Sequence, residues 1–375
     1  MLNDFDGVDG FGRFVRYARE LSPTTKLATF GRASRDIPEF FDRFELDAIG
    51  TAGDYEATAL DFLRYIEEAP AAPGLRIRDA NGYTTIAGPI AWLTADEWAL
   101  PDVREIPYHA YGMLYANDLN KFCGIPARKE LVVPVARGCP VGCSFCDVPR
   151  QQGLRERRLS VARVVEYIAS NFRPNGFEYV SFYAPTFTLK RNWVRELCAS
   201  LKDSDLTVPW KCVTTMTHLD DALLGEMASA GCIRVSVGVE TFADSAKASL
   251  PVLKRDSRSR FLDLARSCQD VGIELNCFVM FGLPGESAES AVGTYRTLSA
   301  EGHRVRPTVY TPYEAMTGCM SIEEFSTFNR QLLLPTAAAG RDERAAFYSA
   351  LYSNDFDRTT DVHHKIPLAA KASTQ

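Results

Sequence analysis

Hydrophobic and polar positions alternate regularly along the second half of this chain. Short apolar runs predict strands, and the segments between them carry apolar stripes of helical period. The predicted strands are 131–137, 179–184, 208–214, 233–240, 274–282 and 304–310. The predicted helices are 160–172, 190–201, 220–230, 257–271 and 287–300. This alternation favours an α/β fold whose parallel sheet curls into a partial (β/α)6 barrel, because right-handed crossovers put each helix outside.

The first 87 residues show a shorter α/β pattern. It predicts helices at 10–21, 38–44 and 55–66, strands at 26–30 and 47–51, and a hairpin turning at Asn81-Gly82. Residues 88–130 have no sustained period and are interpreted as a linker. A capping box at Ser321 and Glu324 starts a last segment with two further helical patterns and a polar tail. The predicted domains are therefore 1–87, a linker at 88–130, the barrel at 131–312 and a helical C-terminal extension at 313–375.

Composition narrows the class of protein. A chain of 375 residues is long enough for two to three domains. With 42 Lys and Arg against 48 Asp and Glu, an extended nucleic-acid surface is not expected. The acidic N-terminus and the lack of an apolar run of about 18 residues argue against a signal peptide and a membrane span. We expect a cytoplasmic protein whose ten cysteines are thiols or metal ligands.

Three cysteines stand together after the first predicted barrel strand. Cys139, Cys143 and Cys146 have C-x-x-x-C-x-x-C spacing on a loop rich in glycine and proline. Active-site residues of such barrels lie at the carboxyl ends of the strands. Three thiolates leave one position of a metal centre open for a substrate or cofactor. The alternatives are a zinc knuckle completed by a distant residue, or three incidental buried thiols.

This loop, with the aromatic Phe145 before the last cysteine, resembles the radical S-adenosylmethionine (SAM) superfamily. The resemblance implies a [4Fe-4S] cluster held by Cys139, Cys143 and Cys146, with SAM bound at the fourth iron. It further implies cleavage of SAM to a 5'-deoxyadenosyl radical that abstracts hydrogen from a substrate. The protein would then contribute orientation and the exclusion of water.

Two later strands are similar to cofactor-binding motifs of the same superfamily. Ser236 and Glu240 alternate on one face of the fourth strand, and the resemblance assigns them to the SAM ribose and amino acid. The alternative for Glu240 is a strand-end carboxylate paired with a surface arginine. On the fifth strand Asn276 would face the cofactor or be a satisfied core amide, and Phe145 would form a wall against the adenine.

The second strand departs from the family pattern, because no carboxylate ends it. Tyr183, Thr186 or backbone carbonyls would have to receive the SAM amino group.

Cys319, after the last strand, is a candidate hydrogen-atom donor, against the alternative of a plain thiol. A basic cluster follows the cysteines and is interpreted as a solvated face, or alternatively as an anion clamp or a docking patch for an electron donor. It consists of Arg150, Arg155, Arg157 and Arg158.

Within the superfamily the chain resembles the subgroup with an N-terminal cobalamin-binding domain, of which only the second half is found. We therefore rank first a cobalamin-independent enzyme of a biosynthetic pathway that performs epimerisation, dehydrogenation, elimination or cyclisation. We expect it to retain no added hydroxocobalamin. The alternative is cobalamin-dependent C-methylation, and a second alternative is a non-catalytic metal-binding module. The expected partners are a small-molecule substrate and a flavodoxin- or ferredoxin-like electron donor, without nucleic acid or membrane.

Overall fold

The computed structural model describes residues 7–90, 92–108, 123–125 and 128–331. A small α/β unit comes first. Its strands are β1 (Ala28–Thr29), β2 (Ala48–Gly50), β3 (Leu75–Asp79) and β4 (Gly82–Thr85). Its helices are α1 (Val8–Leu21), α2 (Arg32–Asp36), a 3-10 helix at Pro38–Phe44 and α3 (Tyr55–Ile66). The sequence predicts all of these elements except α2.

The sheet of this N-terminal unit has the order β1-β2-β3-β4. β1 and β2 run parallel, whereas β3 is antiparallel to both of its neighbours. The predicted hairpin is confirmed: the Asn81 N–H donates to Asp79 Oδ1 at 2.7 Å, and Gly82 has a φ of 113° that favours glycine. Among the described residues, one strand pair of this unit is therefore parallel.

A second, larger sheet follows. The strands after residue 129 are β5 (Glu130–Pro134), β6 (Ala136–Arg137), β7 (Arg157–Arg158), β8 (Tyr179–Tyr183), β9 (Trp210–Thr214), β10 (Cys232–Glu240), β11 (Glu274–Phe281) and β12 (Arg304–Val309). Six of them form one sheet in the order β12-β11-β10-β9-β8-β5, with every pair parallel. β6 and β7 form a separate antiparallel ribbon. The predicted six-stranded α/β architecture is confirmed.

Helices connect the strands of the large sheet. They are α4 (Val148–Gln152), α5 (Val161–Asn171), α6 (Arg191–Asp203), α7 (Asp221–Ser229), α8 (Asp244–Lys247), α9 (Arg258–Asp270) and α10 (Ala288–Ala300). Four of them begin at a side chain that accepts a backbone N–H, which stabilises a helix start by about 1 kcal/mol. These N-caps are Ser160, Asp220, Ser257 and Ser287.

The main hydrophobic core lies between the outer face of the large sheet and these helices. Leu131 and Val133 of β5 point into it and are fully buried, as is Val180 of β8. Residues 92–108, interpreted from sequence as linker, also pack there. Trp98 belongs to this core, and its carbonyl oxygen accepts a hydrogen bond from Arg163 Nη2 at 2.7 Å.

The chain returns to the N-terminal unit after β12. The capping box is confirmed, since the Ser321 N–H donates to Glu324 Oε2 at 2.7 Å and starts α11 (Ile322–Gln331). Phe325 of α11 stacks on Phe40 with ring centroids 4.0 Å apart. The two further predicted helical patterns lie outside the described residues. Within the described ranges, no helix combines the length and apolar character needed to cross a membrane.

Candidate metal and cofactor site

The cysteine loop starts directly after β6 and is shaped by glycines. Gly138 has a φ of 85°, and a side chain there would overlap the carbonyl oxygen of Arg155. Gly142 also has a positive φ, 72°. The Cys139 N–H donates to the Gly153 carbonyl at 3.1 Å, which joins the two ends of the loop. The backbone therefore follows a tight path that larger residues would not permit at these positions.

The three cysteines of this loop lie near one another. Cys139 is buried, and Cys143 and Cys146 are half-buried. Burial, with a contribution from the charges of the other two sulfurs, raises the pKa of Cys143 to about 12. Burial also raises the pKa of Cys146. Without metal these two would be neutral thiols, so a bound metal would displace their protons.

The spacing of the sulfurs bears on which metal centre fits. Among the described residues, no three His, Cys, Asp or Glu side chains converge closely enough to hold a single ion. In a four-iron cluster, three of the irons would each take one of these thiolates, and the fourth iron would stay open to a cofactor.

Ion pairs tie the N-terminal unit to the cysteine loop. Asp54, which precedes α3, contacts the guanidinium groups of Arg137 and Arg157, the first with an N–O distance of 3.2 Å. Arg137 also pairs with Glu56 at 2.6 Å. The Arg157 side chain is only 12% exposed and that of Arg158 only 2%. The interpretation of the basic cluster as a solvated face is therefore wrong for these two arginines.

A second set of contacts joins α2 to the segment just after the last loop cysteine. Arg32 pairs with Asp147 at 2.8 Å. Arg35 donates to the carbonyl oxygens of Gln151 and Gly53. Since α2 follows β1 and Gly53 follows β2, the carboxyl ends of both parallel strands face the cysteine loop. In open α/β sheets this edge is where ligands bind.

Glu240 ends β10 in an uncommon backbone conformation. Its φ is 61°, and the register with β11 shifts between Gly238 and Glu240. Its Oε1 lies 2.5 Å from Lys254 Nζ, and both side chains are nearly buried, at 5% and 14% exposed. A side chain at Gly238 would overlap both groups. This nearly buried ion pair replaces the alternative of a surface arginine for Glu240.

Lys254 connects this ion pair to the cysteine loop. Its Nζ lies 5.6 Å from the ring centroid of Phe145. Burial would lower the pKa of Lys254, but the charge and hydrogen bond of Glu240 outweigh it, and the net shift is upward. The ammonium group therefore stays charged beside the cysteine sulfurs.

Ser236 and Asn276 form a buried polar pair on neighbouring strands. Asn276 Nδ2 donates to Ser236 Oγ at 3.1 Å, and the residues are 2% and 6% exposed. Asn276 Oδ1 is buried with no hydrogen-bond partner among the described residues. A buried acceptor without a donor costs about 1–3 kcal/mol. A bound ligand that donates a hydrogen bond would remove this cost.

Three other predicted site residues lie in different surroundings. Tyr183 ends β8 and is 55% exposed. Thr186 is buried, and its Oγ1 lies 3.8 Å from Cys139 Sγ. Cys319 is exposed, and its neighbour Gly318 accepts a hydrogen bond from Arg43 of the N-terminal unit at 3.0 Å. The roles of all three toward SAM or substrate stay predictions.

Part of the inner face of the large sheet is exposed to solvent. Val132 and Val213 are 37% and 39% exposed, and Thr308 is exposed as well. Their neighbours along the strands point to the buried outer face. We call the space along this inner face the lumen. Tyr183 lies at its carboxyl end, where burial raises the pKa of its hydroxyl and Asp147 and Cys146 of the cysteine loop segment add to the shift, so the lumen ends near the cysteine loop.

Sequence reasoning missed Lys254 and the basic residues of the lumen. Lys254 lies 14 positions after Glu240 in a short 3-10 helix, and nothing local indicates their contact. The sequence did contain a signal for the basic residues of the lumen. Arg304 and Arg306 are two positions apart on one strand, as are Arg234 and Ser236, so the members of each pair lie on the same face. Period-two basic positions in strands of a buried sheet indicate a charged interior.

Residues 133–298, which hold the cysteine loop and most of the large sheet, match the family model described as Radical SAM superfamily. An uncharacterized methyltransferase of Pyrococcus horikoshii is 26% identical over 219 residues, 57% of this chain and 46% of that protein. An anaerobic magnesium-protoporphyrin IX monomethyl ester cyclase of Rubrivivax gelatinosus is 29% identical over 184 residues, 47% of this chain and 32% of that protein. The chain thus spans less than half the length of either relative.

A solved structure is similar over nearly the whole chain. It is the radical S-adenosylmethionine methyltransferase TsrM from Kitasatospora setae, with cobalamin and a [4Fe-4S] cluster bound. The TM-score is 0.66 at 16% identity, and the likeness covers 93% of this chain and 76% of that one. At this identity the likeness shows a shared fold, and its extent includes the N-terminal unit.

Proposed function

We propose that this chain is a radical SAM enzyme that acts on a small molecule held in the lumen. The observation that carries the proposal is that Cys139, Cys143 and Cys146 lie at the end of a lumen whose walls are exposed at positions such as Val132 and Val213. A substrate there would be reachable from the cluster. Packing of the N-terminal unit on the cysteine loop would shield the reaction from water.

The residues around the loop would hold the cluster and SAM. Each loop cysteine would give one thiolate to an iron. When bound, the cluster would supply the electron that cleaves SAM. Lys254 and Glu240 offer opposite charges that suit the carboxylate and ammonium groups of the cofactor. Ser236 and Asn276 offer a hydroxyl and an unpaired amide oxygen on the same inner face.

For the reaction class, we propose methyl transfer from SAM to a carbon of the substrate. The methyltransferase relative and the likeness to TsrM support this reaction. They favour it over the cobalamin-independent reaction that the sequence alone ranks first. The cyclase relative supports only the wider class of radical SAM enzymes, because its name describes a cyclisation and not a methyl transfer.

By analogy with TsrM, such a methyl transfer would require cobalamin. The described residues do not form a site for cobalamin. The edge where β1 and β2 end is occupied by direct contacts of Arg32 and Arg35 with the cysteine loop segment. A switch-point crevice also needs more parallel strands than the single pair that β1 and β2 form among the described residues of the N-terminal unit. This observation keeps cobalamin-independent hydrogen abstraction as the second candidate.

The cluster assignment is tested by metal analysis without air. Reconstituted protein should be brown and contain about four irons per chain. Replacing Cys139, Cys143 or Cys146 by alanine should abolish the colour and SAM cleavage, because each change removes an iron ligand. Cys319→Ala is the matched control and should keep the iron. A colourless protein that holds one zinc would refute the proposal.

The reaction class is tested by its products. SAM with a deuterated methyl group should yield S-adenosylhomocysteine and a deuterated product from a methyl transferase. Retention of added hydroxocobalamin through gel filtration would link this transfer to cobalamin, and its loss would mean that the transfer proceeds without it. If SAM gives only 5'-deoxyadenosine and no cobalamin is retained, methyl transfer is refuted and the second candidate stands.

A further inference from the structure

Arg155 differs from the other three arginines of the basic cluster. Arg157 and Arg158 are nearly buried in ion pairs, and Arg150 pairs with Asp36 at 3.4 Å. The Arg155 side chain is exposed, and it makes no ion pair or side-chain hydrogen bond with the described residues. Its charge is therefore available to a molecule outside the chain.

Arg155 belongs to a small exposed surface. Its neighbour Leu154 is 65% exposed. Lys190, just before α6, is 53% exposed and lies 3.7 Å from Glu156, whose side chain is only 5% exposed. Arg158 already pairs with Glu156 at 2.8 Å, so two cations share one buried carboxylate. We call Leu154, Arg155 and Lys190 the outer patch, which combines an apolar side chain with two exposed positive charges.

Two short paths connect the outer patch to Cys139. In the first, the backbone of Gly138 approaches the Arg155 carbonyl oxygen so closely that a side chain at position 138 would overlap it. In the second, Arg158 beneath the patch donates to the Thr186 carbonyl at 3.3 Å, and Thr186 Oγ1 lies 3.8 Å from Cys139 Sγ. Both exposed cations are thus a few contacts away from a thiol proposed as an iron ligand.

Charge indicates the kind of partner that this surface fits. The whole chain has a net charge of -6, so much of its surface repels an acidic protein. A positive patch on such a chain attracts an acidic partner and fixes the orientation in which it docks. Protein interfaces also have an apolar centre within a polar rim. Leu154 beside two cations suits this arrangement.

We infer that the outer patch is the docking surface for an acidic electron-transfer protein that reduces the cluster. The partner loses one electron, the cluster gains it, and no atom is transferred. Cleavage of SAM then consumes this electron. Carboxylates of the partner would pair with Arg155 and Lys190, and Leu154 would be buried between the two proteins. This inference rests on the proposed function, because it assumes a cluster that must be reduced.

Isothermal titration of the reconstituted protein with a purified bacterial flavodoxin measures docking directly. Wild type should bind it saturably, and the affinity should fall as KCl is raised from about 20 to about 300 mM. Arg155→Glu should weaken binding at low salt about fivefold or more, because an attraction becomes a repulsion. The matched control is Arg266→Glu, whose side chain is 72% exposed on α9, and it should bind like wild type.

A second variant tests the apolar part of the outer patch without changing its charge. Leu154→Ser should weaken binding by the same factor at both salt concentrations, because salt does not screen the loss of apolar contact. SAM cleavage then separates docking from chemistry. Cleavage driven by reduced flavodoxin should be slower in Arg155→Glu, whereas iron content and cleavage driven by dithionite should match wild type.

The inference is overturned if flavodoxin does not bind wild type, or if Arg155→Glu and Arg266→Glu bind it equally well. It is also overturned if the outer patch joins two copies of this chain, which sedimentation would detect as a dimer that Leu154→Ser dissociates. Failure of dithionite to drive SAM cleavage in wild type would instead refute the proposed function, whatever the titration shows.

Discussion

Replacing Asp54 by alanine should loosen the N-terminal unit from the cysteine loop. The Asp54 side chain is 2% exposed, contacts Arg137 and Arg157, and accepts the Leu93 N–H at 2.8 Å. Removing one partner of a buried ion pair costs about 3–5 kcal/mol. Arg137 keeps Glu56 at 2.6 Å, and Arg157 keeps the Leu93 carbonyl at 2.7 Å. We therefore expect a loss at the low end, about 3 kcal/mol of unfolding free energy.

Urea unfolding of the metal-free protein measures this loss, and iron analysis after reconstitution measures its effect on the site. The control is Asp9→Ala, whose carboxylate is 61% exposed and pairs with Arg13 at 2.9 Å. Such a surface pair contributes only about 0–1 kcal/mol. Asp54→Ala should also retain less iron than the control. Equal unfolding free energies and equal iron contents in the two variants would refute this role of Asp54.

Three further changes test other contacts. Lys254→Met should weaken SAM binding in equilibrium dialysis about tenfold or more with iron content unchanged, because Glu240 loses its cation. Burial raises the pKa of Asp36 to about 6, so the folded state binds its proton more tightly than the unfolded state. The contribution of Asp36 to stability should fall by about 2 kcal/mol as pH rises from 4 to 6, and Asp36→Asn should remove this part of the urea profile. Phe325→Ala should cost about 3–5 kcal/mol of unfolding free energy, since the buried ring stacks on Phe40 at 4.0 Å.

Each of these expectations has an outcome that contradicts it. SAM affinity unchanged in Lys254→Met would remove the ion pair from the cofactor site. Asp36→Asn with the same pH profile as wild type would show that the carboxyl group titrates normally. A loss below about 1 kcal/mol in Phe325→Ala would mean that α11 contributes little to the N-terminal core.

The sequence by itself determined the order of elements and the cysteine loop. Strand alternation and helical stripes are local patterns, and each predicted barrel strand overlaps an observed one. Capping side chains such as Ser160 and Asp220 mark helix starts within one turn. The cysteine spacing is equally local, since three ligands within eight residues share one loop wherever the chain folds.

Only the tertiary structure decided which distant residues meet. Glu240 and Lys254 are joined through a loop and a 3-10 helix, and Asp54 reaches an arginine 103 positions later. The stacking of Phe325 on Phe40 packs the last described helix against the N-terminal unit. Such contacts depend on how whole elements pack, because a charged or aromatic side chain carries no local sign of its partner. The same packing placed Arg234, Arg304 and Arg306 of the barrel strands together on the inner face of the sheet.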